Sequence, residues 1–284
     1  MAKNEYECFD KIKKLVSYLP QNNAEDPTII ETSDDPNRID TNLVNILPEN
    51  PYQQYDMKEI IKSIVDNGDF FEIHELFAEN IIVGFARMAG RTIGLIANQP
   101  MYLAGALDIN SSNKTARFIR FCDSFNIPIV MFVDTPGFVI GTEAEKRKAP
   151  GKIMNMMNAL SLTTVPKLSV ILRKSYGQAY LNMGGGRNSD EVAAWPTAEV
   201  SFMDSTFAVK IVHGFDPGDP GYDEAFARMS RDSEVWDMAS VYAVQSVIRP
   251  EETRDYLIRM LDVHRLRLTN GVGQHMMRAW PTSY

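Results

Sequence analysis

The chain has 284 residues, 44% of them hydrophobic and 23% charged, and a net charge of −8. That length and apolar share support a sizeable core, as one large domain or two small ones. The acidic balance argues against nucleic acid and anionic membrane surfaces as partners. Cys8 and Cys122 are far apart and form no CxxC pair, which excludes a disulfide framework or a thiolate zinc site. The opening residues carry no apolar signal-peptide core. No apolar run nears the roughly 20 residues that span a bilayer. The expectation is a cytoplasmic protein with no membrane span.

In chain order, Phe9, Ile12, Leu15 and Val16 fall at helical spacing within residues 5–18. Residues 20–55 are polar and Pro-rich, the composition of an extended linker. Ile60, Ile61, Ile64 and Val65 mark a short helix that Asp66-Asn-Gly-Asp69 ends. Ile81–Met88 and Arg91–Asn98 read as two strands joined by Ala89-Gly90, which is hairpin spacing. A helix follows over about 111–125, capped by Asn110 or Ser111.

The run Ile129 to Val133 is apolar throughout, as in a strand buried on both faces. Asp134-Thr-Pro-Gly ends it, because Pro lacks a donor and Gly tolerates unusual backbone angles. Loops at such strand ends hold the chemistry of α/β proteins. A helix spans about 152–160, a strand 168–172, and a small-residue helix runs from Gly177 towards Gly184-Gly-Gly186. A strand over 198–203 and an amphipathic helix over about 222–264 complete the chain. Hairpin and crossover units in this order predict an α/β sheet coiled on itself.

Several motifs dissolve on inspection. Asp134-x-x-Gly137 has no phosphate-binding GxxxxGK[ST] to accompany it. Asn110-Ser-Ser112 reads better as a helix cap than as a glycosylation acceptor. His74, His213, His264 and His275 lack the HExxH spacing and read as surface or packed side chains. No GxSxG elbow is present, so triad hydrolysis has no foothold. Lys174-Ser-Tyr-Gly-Gln-Ala-Tyr180 is more suggestive, because it follows a strand and opens a helix. Unsatisfied N–H groups at a helix start can hold a carbonyl oxygen that gains charge in a reaction. Tight strand–helix packing at Gly177 is the plainer alternative.

Tyr18-Leu-Pro-Gln-Asn-Asn23, Asp34-Asp-Pro-Asn-Arg38, Gly68-Asp-Phe-Phe-Glu72, Val83-Gly-Phe-Ala-Arg87 and Ala97-Asn-Gln-Pro100 occur in that order. Gly105-Ala-Leu-Asp-Ile109, the segment Arg117 to Pro128, Asp134-Thr-Pro-Gly-Phe138 and Ala194-Trp-Pro-Thr-Ala-Glu199 continue the series. As a set they resemble the carboxyltransferase (beta) subunit of biotin-dependent acyl-CoA carboxylases and decarboxylases, propionyl-CoA carboxylase among them. The resemblance covers only the C-terminal half of such a subunit. It implies a crotonase-like ββα superhelix over residues 56–284, preceded by a helix and linker over 1–55.

The same resemblance implies a biotin-side subunit of a split acyl-CoA carboxyltransferase. Its partners would be an N-terminal-half subunit that holds the acyl-CoA and a carrier protein that brings biotin, in a hetero-oligomer whose sites lie between subunits. CO2 would pass between carboxybiotin and an acyl-CoA enolate, each charged oxygen held by backbone N–H groups. The biotin-side hole maps to Gly177, Gln178 and Ala179. Asp134, Thr135, Pro136, Gly137, Phe138, Tyr176 and Leu181 map to binding positions around it. The family's paired glycines fall on Arg147 and Lys148, where side chains would obstruct a close backbone approach. The family turn Tyr-Gly-Gly-Ala is Tyr-Gly-Gln-Ala here. These departures leave two alternatives in view: a non-catalytic structural subunit, or a crotonase-like thioester enzyme that uses no biotin.

Overall fold

A computed structural model describes residues 2–266. Helix α1 spans Glu5–Val16, and the Asn4 side chain caps it by accepting from the Glu7 N–H. Residues 17–56 then run over the body with one short helix, α2 (Leu43–Ile46). The Ile30 N–H donates to the Gly90 carbonyl, and Arg38 donates to the carbonyls of Ser63 and Val65. Tyr18, Leu43 and Tyr55 of this stretch are buried. Helix α3 (Met57–Ile64) starts at Asp56, whose carboxylate accepts from the Lys58 N–H. It buries Ile60, Ile61 and Ile64, the stripe read from the sequence.

Strands β1 (Phe70–Glu72), β2 (Ile81–Met88) and β3 (Arg91–Asn98) form an antiparallel set. The β2–β3 hairpin turns on Ala89 and Gly90, both at positive φ (49° and 77°). That pairing suits the twist of a two-residue hairpin. Helix α4 (Ile109–Ser124) crosses to β4 (Ile129–Thr135), which pairs parallel to β3. Asp108 caps α4 through a capping box with Ser111, where the sequence had placed Asn110 or Ser111. An acid at the cap satisfies the Ser111 N–H more directly than either neighbour can.

Helices α5 (Thr142–Lys146) and α6 (Ala149–Leu162) lead to β5 (Lys167–Tyr176), parallel to β4. Helix α7 covers Gly177–Asn182 and ends one residue before the glycine triplet, as the sequence reading had it. Strand β6 (Glu191–Ala194) extends the sheet, and β7 (Glu199–Ser201) pairs with the far end of β5. Helices α8 (Ser205–His213), α9 (Tyr222–Arg231) and α10 (Val235–Ser240) precede β8 (Ser246–Val247) and helix α11 (Thr253–Val263). The single helix expected over 222–264 is therefore three helices and a strand. Pro250 lacks the donor a continuous helix needs, and Gln245 to Ile248 find sheet partners instead. The 198–203 strand shrinks to its middle three residues.

The sheet runs β1-β2-β3-β4-β5-β6-β8, with β7 beside β5. Its two faces carry separate cores. Ile129, Met131 and Val133 of β4 face α4 and α6, beside Ile119, Met156 and Leu160. Val130 and Phe132 face α3 and α11, beside Ile61 and Leu257. Burial on both faces is why β4 reads as an unbroken apolar run. His74 and His213 are exposed, and His264 sits beside Glu191. His275 and the C-terminal limit of the 56–284 reading lie outside the described residues.

Candidate functional site

The parallel register of β4 and β5 sets Thr135 opposite Ser175. The turn after β4 and the turn after β5 therefore lie side by side at the carboxyl ends of neighbouring strands, where open α/β sheets bind ligands. A Cβ on Gly137 would come within 4.0 Å of the Tyr176 carbonyl. Thr135 Oγ1 accepts from the Gly137 N–H at 3.3 Å, which tightens the first turn. The turn also pairs with the preceding loop: the Leu107 N–H donates to Gly137 O, and the Val139 N–H to Leu107 O. Pro136 is exposed and Phe138 half-buried.

Asp134 supports this turn from beneath. Its side chain is 1% exposed. It accepts from Tyr55 Oη at 2.8 Å, Arg173 Nε at 3.0 Å and the Lys174 N–H at 3.1 Å. Its own N–H donates to Asn98 Oδ1, and Asn98 Nδ2 donates to the Gly105 carbonyl. Gly105 must be glycine: at φ 79° a Cβ there would lie 2.4 Å from the Asp134 carbonyl. Burial pushes the Asp134 carboxyl up from its ordinary value, against the opposing pull of Arg173 and Tyr55. Burial, then the Asp134 charge, raises Tyr55 well above its usual value. Burial and the neighbouring Arg173 lower Lys174.

The second turn is built on Gly177, at φ 59°, whose missing Cβ would meet the Phe202 carbonyl at 3.1 Å. Tyr176 is buried and donates from Oη to Glu199 Oε2 at 2.5 Å. Burial and then that bond raise its hydroxyl far above the ordinary tyrosine value. Gly177 is half-buried, Gln178 exposed and Ala179 buried. All three stand in the first turn of α7, where N–H groups have no intrahelical acceptor. The Gln178 side chain turns aside, to Met157 Sδ at 3.3 Å and Asn182 Oδ1 at 3.1 Å. Leu181 lies one turn on and packs toward Gly186. It lines none of the described cavities.

Between α4, the β4 turn and α6 is a cavity of about 150 Å³ lined by Ile109, Phe138, Val139, Arg147 and Ile153. Arg147 reaches from it to Asn110 Oδ1 at 3.3 Å. Lys148 takes the left-handed conformation, φ 60° and ψ 44°, just before α6. The resemblance implied glycines at these two positions, and the backbone at the second has a glycine-like shape under a lysine side chain. Sequence reasoning missed Tyr55, Asn98, Arg173 and Glu199. One signal was present: Arg173 is a charge closing the apolar run Val170 to Leu172.

Residues 1–270 match the family described as carboxyl transferase domain. The chain belongs to that family. It is 44% identical to the propionyl-CoA carboxylase beta chain of Roseobacter denitrificans over 265 residues, which is 90% of this chain and 51% of that one. It is 44% identical to the methylmalonyl-CoA decarboxylase subunit alpha of Veillonella parvula, over 92% of this chain and 51% of that one. The solved transcarboxylase 12S with methylmalonyl-coenzyme A bound superposes with a TM-score of 0.91 at 35% identity, over 99% of this chain and 55% of that one. The fold is thus the crotonase-like superhelix. This carboxyl transferase chain spans about half the length of the curated relatives it matches. Among the described residues no helix is long and apolar enough to cross a membrane.

Proposed function

We propose that this chain is the biotin-side part of an acyl-CoA carboxyltransferase. The observation that carries the reading is the pair of adjoining turns at the ends of β4 and β5, with helix-start N–H groups beside an exposed Gln178. The N–H groups of Gln178 and Ala179, following Gly177, are placed to stabilise negative charge on a carbonyl oxygen. Pro136, Gly137 and Phe138 shape the surrounding wall, the buried Thr135 and Tyr176 back it, and Leu181 stands behind it one helical turn on. Asp134 holds that wall in place as a positioning residue.

The surroundings suit biotin. Its bicyclic ring carries a urea, with one carbonyl and two N–H groups, on one edge and an apolar thioether ring on the other; helix-start donors suit the carbonyl, and Phe138 of the adjoining turn suits the apolar edge. When bound on a carrier protein, biotin supplies the carboxyl group for transfer. The acyl-CoA would sit on an N-terminal-half subunit, so the active assembly is a hetero-oligomer of at least these chains. Its relatives include both a carboxylase and a decarboxylase, and the same backbone donors serve either direction.

The test combines this chain with a CoA-side half, methylmalonyl-CoA and free biotin, and follows loss of the carboxyl group to biotin. Gln178→Pro deletes one proposed donor in the first helical turn, where Pro is tolerated. Turnover should fall by about 10²–10³-fold, the cost of one oxyanion-hole donor, and avidin should block the reaction. Undiminished turnover in a folded Gln178→Pro protein overturns the assignment. Arg147 and Lys148 favour a second reading, a structural subunit that completes an oligomer around an active homologue. It predicts no turnover from any reconstituted complex. Activity that survives avidin would point instead to a thioester enzyme without biotin.

A further inference from the structure

Gln178 is the residue at which the turn after β5 departs from its resemblance, which implies a glycine there. Its side chain brings a carbonyl and an NH2 group to the site, and the bonds around it decide which of the two is left for a ligand. Asn182 is wholly buried, and its Nδ2 donates to the Ile153 carbonyl of α6 at 2.9 Å. A backbone carbonyl only accepts, so the Asn182 NH2 must be the end at Ile153 and Oδ1 the end that faces Gln178. Asn182 Oδ1 takes Gln178 Nε2 at 3.1 Å. An amide oxygen likewise only accepts, which commits the Gln178 NH2 to that side. Met157 Sδ of α6 accepts from the same NH2 at 3.3 Å. The amide is thereby held by its nitrogen, and Oε1 has no partner among the described residues. Gln178 is exposed, so this oxygen faces solvent. Its backbone N–H, in the first turn of α7, has no intrahelical acceptor. One residue therefore offers a donor and an oriented acceptor. That pair matches a urea, which carries a carbonyl and an N–H side by side, and does not match a thioester, which has no N–H.

We propose that Gln178 Oε1 is a specificity-determining acceptor for the biotin urea, taking the N–H of the nitrogen that does not carry the carboxyl group. The proposal rests on the biotin-side reading of the site. A urea held at its carbonyl alone turns freely about the C=O axis. A second bond on one flank fixes its plane and turns the other nitrogen toward the acyl partner. While that other nitrogen carries the carboxyl group it has no hydrogen, so only its neighbour keeps an N–H to donate both before and after transfer. The bond serves binding and orientation in both states. A glycine at 178 would leave the same backbone donor and no acceptor.

The experiment assembles the full chain with a CoA-side half and titrates free biotin by saturation-transfer NMR, with no acyl-CoA present. The second ligand is biotin methylated on the urea nitrogen that does not take the carboxyl group, which has no N–H to give there. Gln178→Met keeps the backbone N–H and the length of the side chain and removes the amide. Kd for biotin should rise about 3- to 10-fold in Gln178→Met, the share of one neutral hydrogen bond. The methylated ligand should bind the unaltered chain more weakly than biotin does, and Gln178→Met should weaken it no further, because both changes delete the same bond. In turnover from methylmalonyl-CoA, KM for biotin should rise by the same factor while kcat holds near its original value. Equal losses for biotin and the methylated ligand on Gln178→Met would mean that the side chain acts elsewhere, and would overturn the proposal. An unchanged Kd for biotin overturns it as well, and leaves the functional reading standing. If the unaltered complex neither binds biotin nor passes the carboxyl group to it, the functional reading itself fails and takes the proposal with it.

Discussion

The turn at 134–138 and the segment that follows it, 139–151, border the same cavity and are held in opposite ways. The turn is fixed from below by a buried carboxylate with three donors, drawn from residue 55, from β5 and from the backbone. The segment is held at the surface. Ile140 is 88% exposed, Glu143 and Lys146 pair in water, and Arg147 reaches Asn110 at 3.3 Å. A buried charge that loses its partner costs several kcal/mol, whereas an exposed pair contributes little. The turn's shape is therefore over-determined by distant residues. The segment's shape follows from where α5 and α6 begin, and it can absorb substitution. On that contrast, substitution is easier to absorb at Arg147 and Lys148 than at Asp134–Phe138.

The largest effect tests the turn. Asp134→Ala leaves the Arg173 guanidinium buried without its carboxylate, and should cost roughly 3–5 kcal/mol of stability. The denaturant midpoint measures it. Adding Arg173→Met removes the orphaned charge, so the double variant should be more stable than Asp134→Ala alone. Simple addition of the two losses would show that the pair is not a unit and would break the comparison. Tyr55→Phe deletes one neutral donor and should cost about 1 kcal/mol.

The architecture around this pair was legible wherever burial imposed a period. β2 and β3 announce themselves as two largely apolar runs at hairpin spacing, α4 by a helical period and β4 as an unbroken apolar run. The C-terminal third was not legible in the same way. Residues 222–264 keep a helical rhythm across Ser233 and Pro250, but the sheet takes Ser246 and Val247 as a strand. The turn's sequence was visible, and its support was not. Tyr55 and Arg173 stand 79 and 39 residues from Asp134, and no local pattern ties them together. The orientation of α1 was hidden for a related reason. Phe9, Ile12, Leu15 and Val16 have the right spacing, but spacing alone does not say which side meets the body, and Phe9, Ile12 and Val16 are exposed.

A middle-sized effect tests the segment. Lys148 occupies the left-handed region, which costs a side-chain-bearing residue roughly 1–2 kcal/mol. Lys148→Gly removes that strain and adds the chain entropy of glycine, roughly 0.5–1 kcal/mol. The net expectation is a gain of up to about 1.5 kcal/mol, read as a higher denaturant midpoint with an unchanged slope. A loss would mean that the lysine side chain makes a contact worth more than the strain, and the segment would then be as constrained as the turn.

The smallest effect separates fold from site. Arg147→Ala deletes a long, exposed bond to Asn110 and should change stability by no more than about 0.5 kcal/mol. The same side chain lines the cavity beside Phe138 and Val139. If carrier-borne biotin approaches there, removing Arg147 should change KM for free biotin and leave kcat for the bound complex near its original value. If both stay fixed, the cavity plays no part in the approach, and only the turns at 134–138 and 176–179 remain as its route. A large loss of stability would contradict the contrast itself, since it would make a surface arginine as necessary as the buried Arg173.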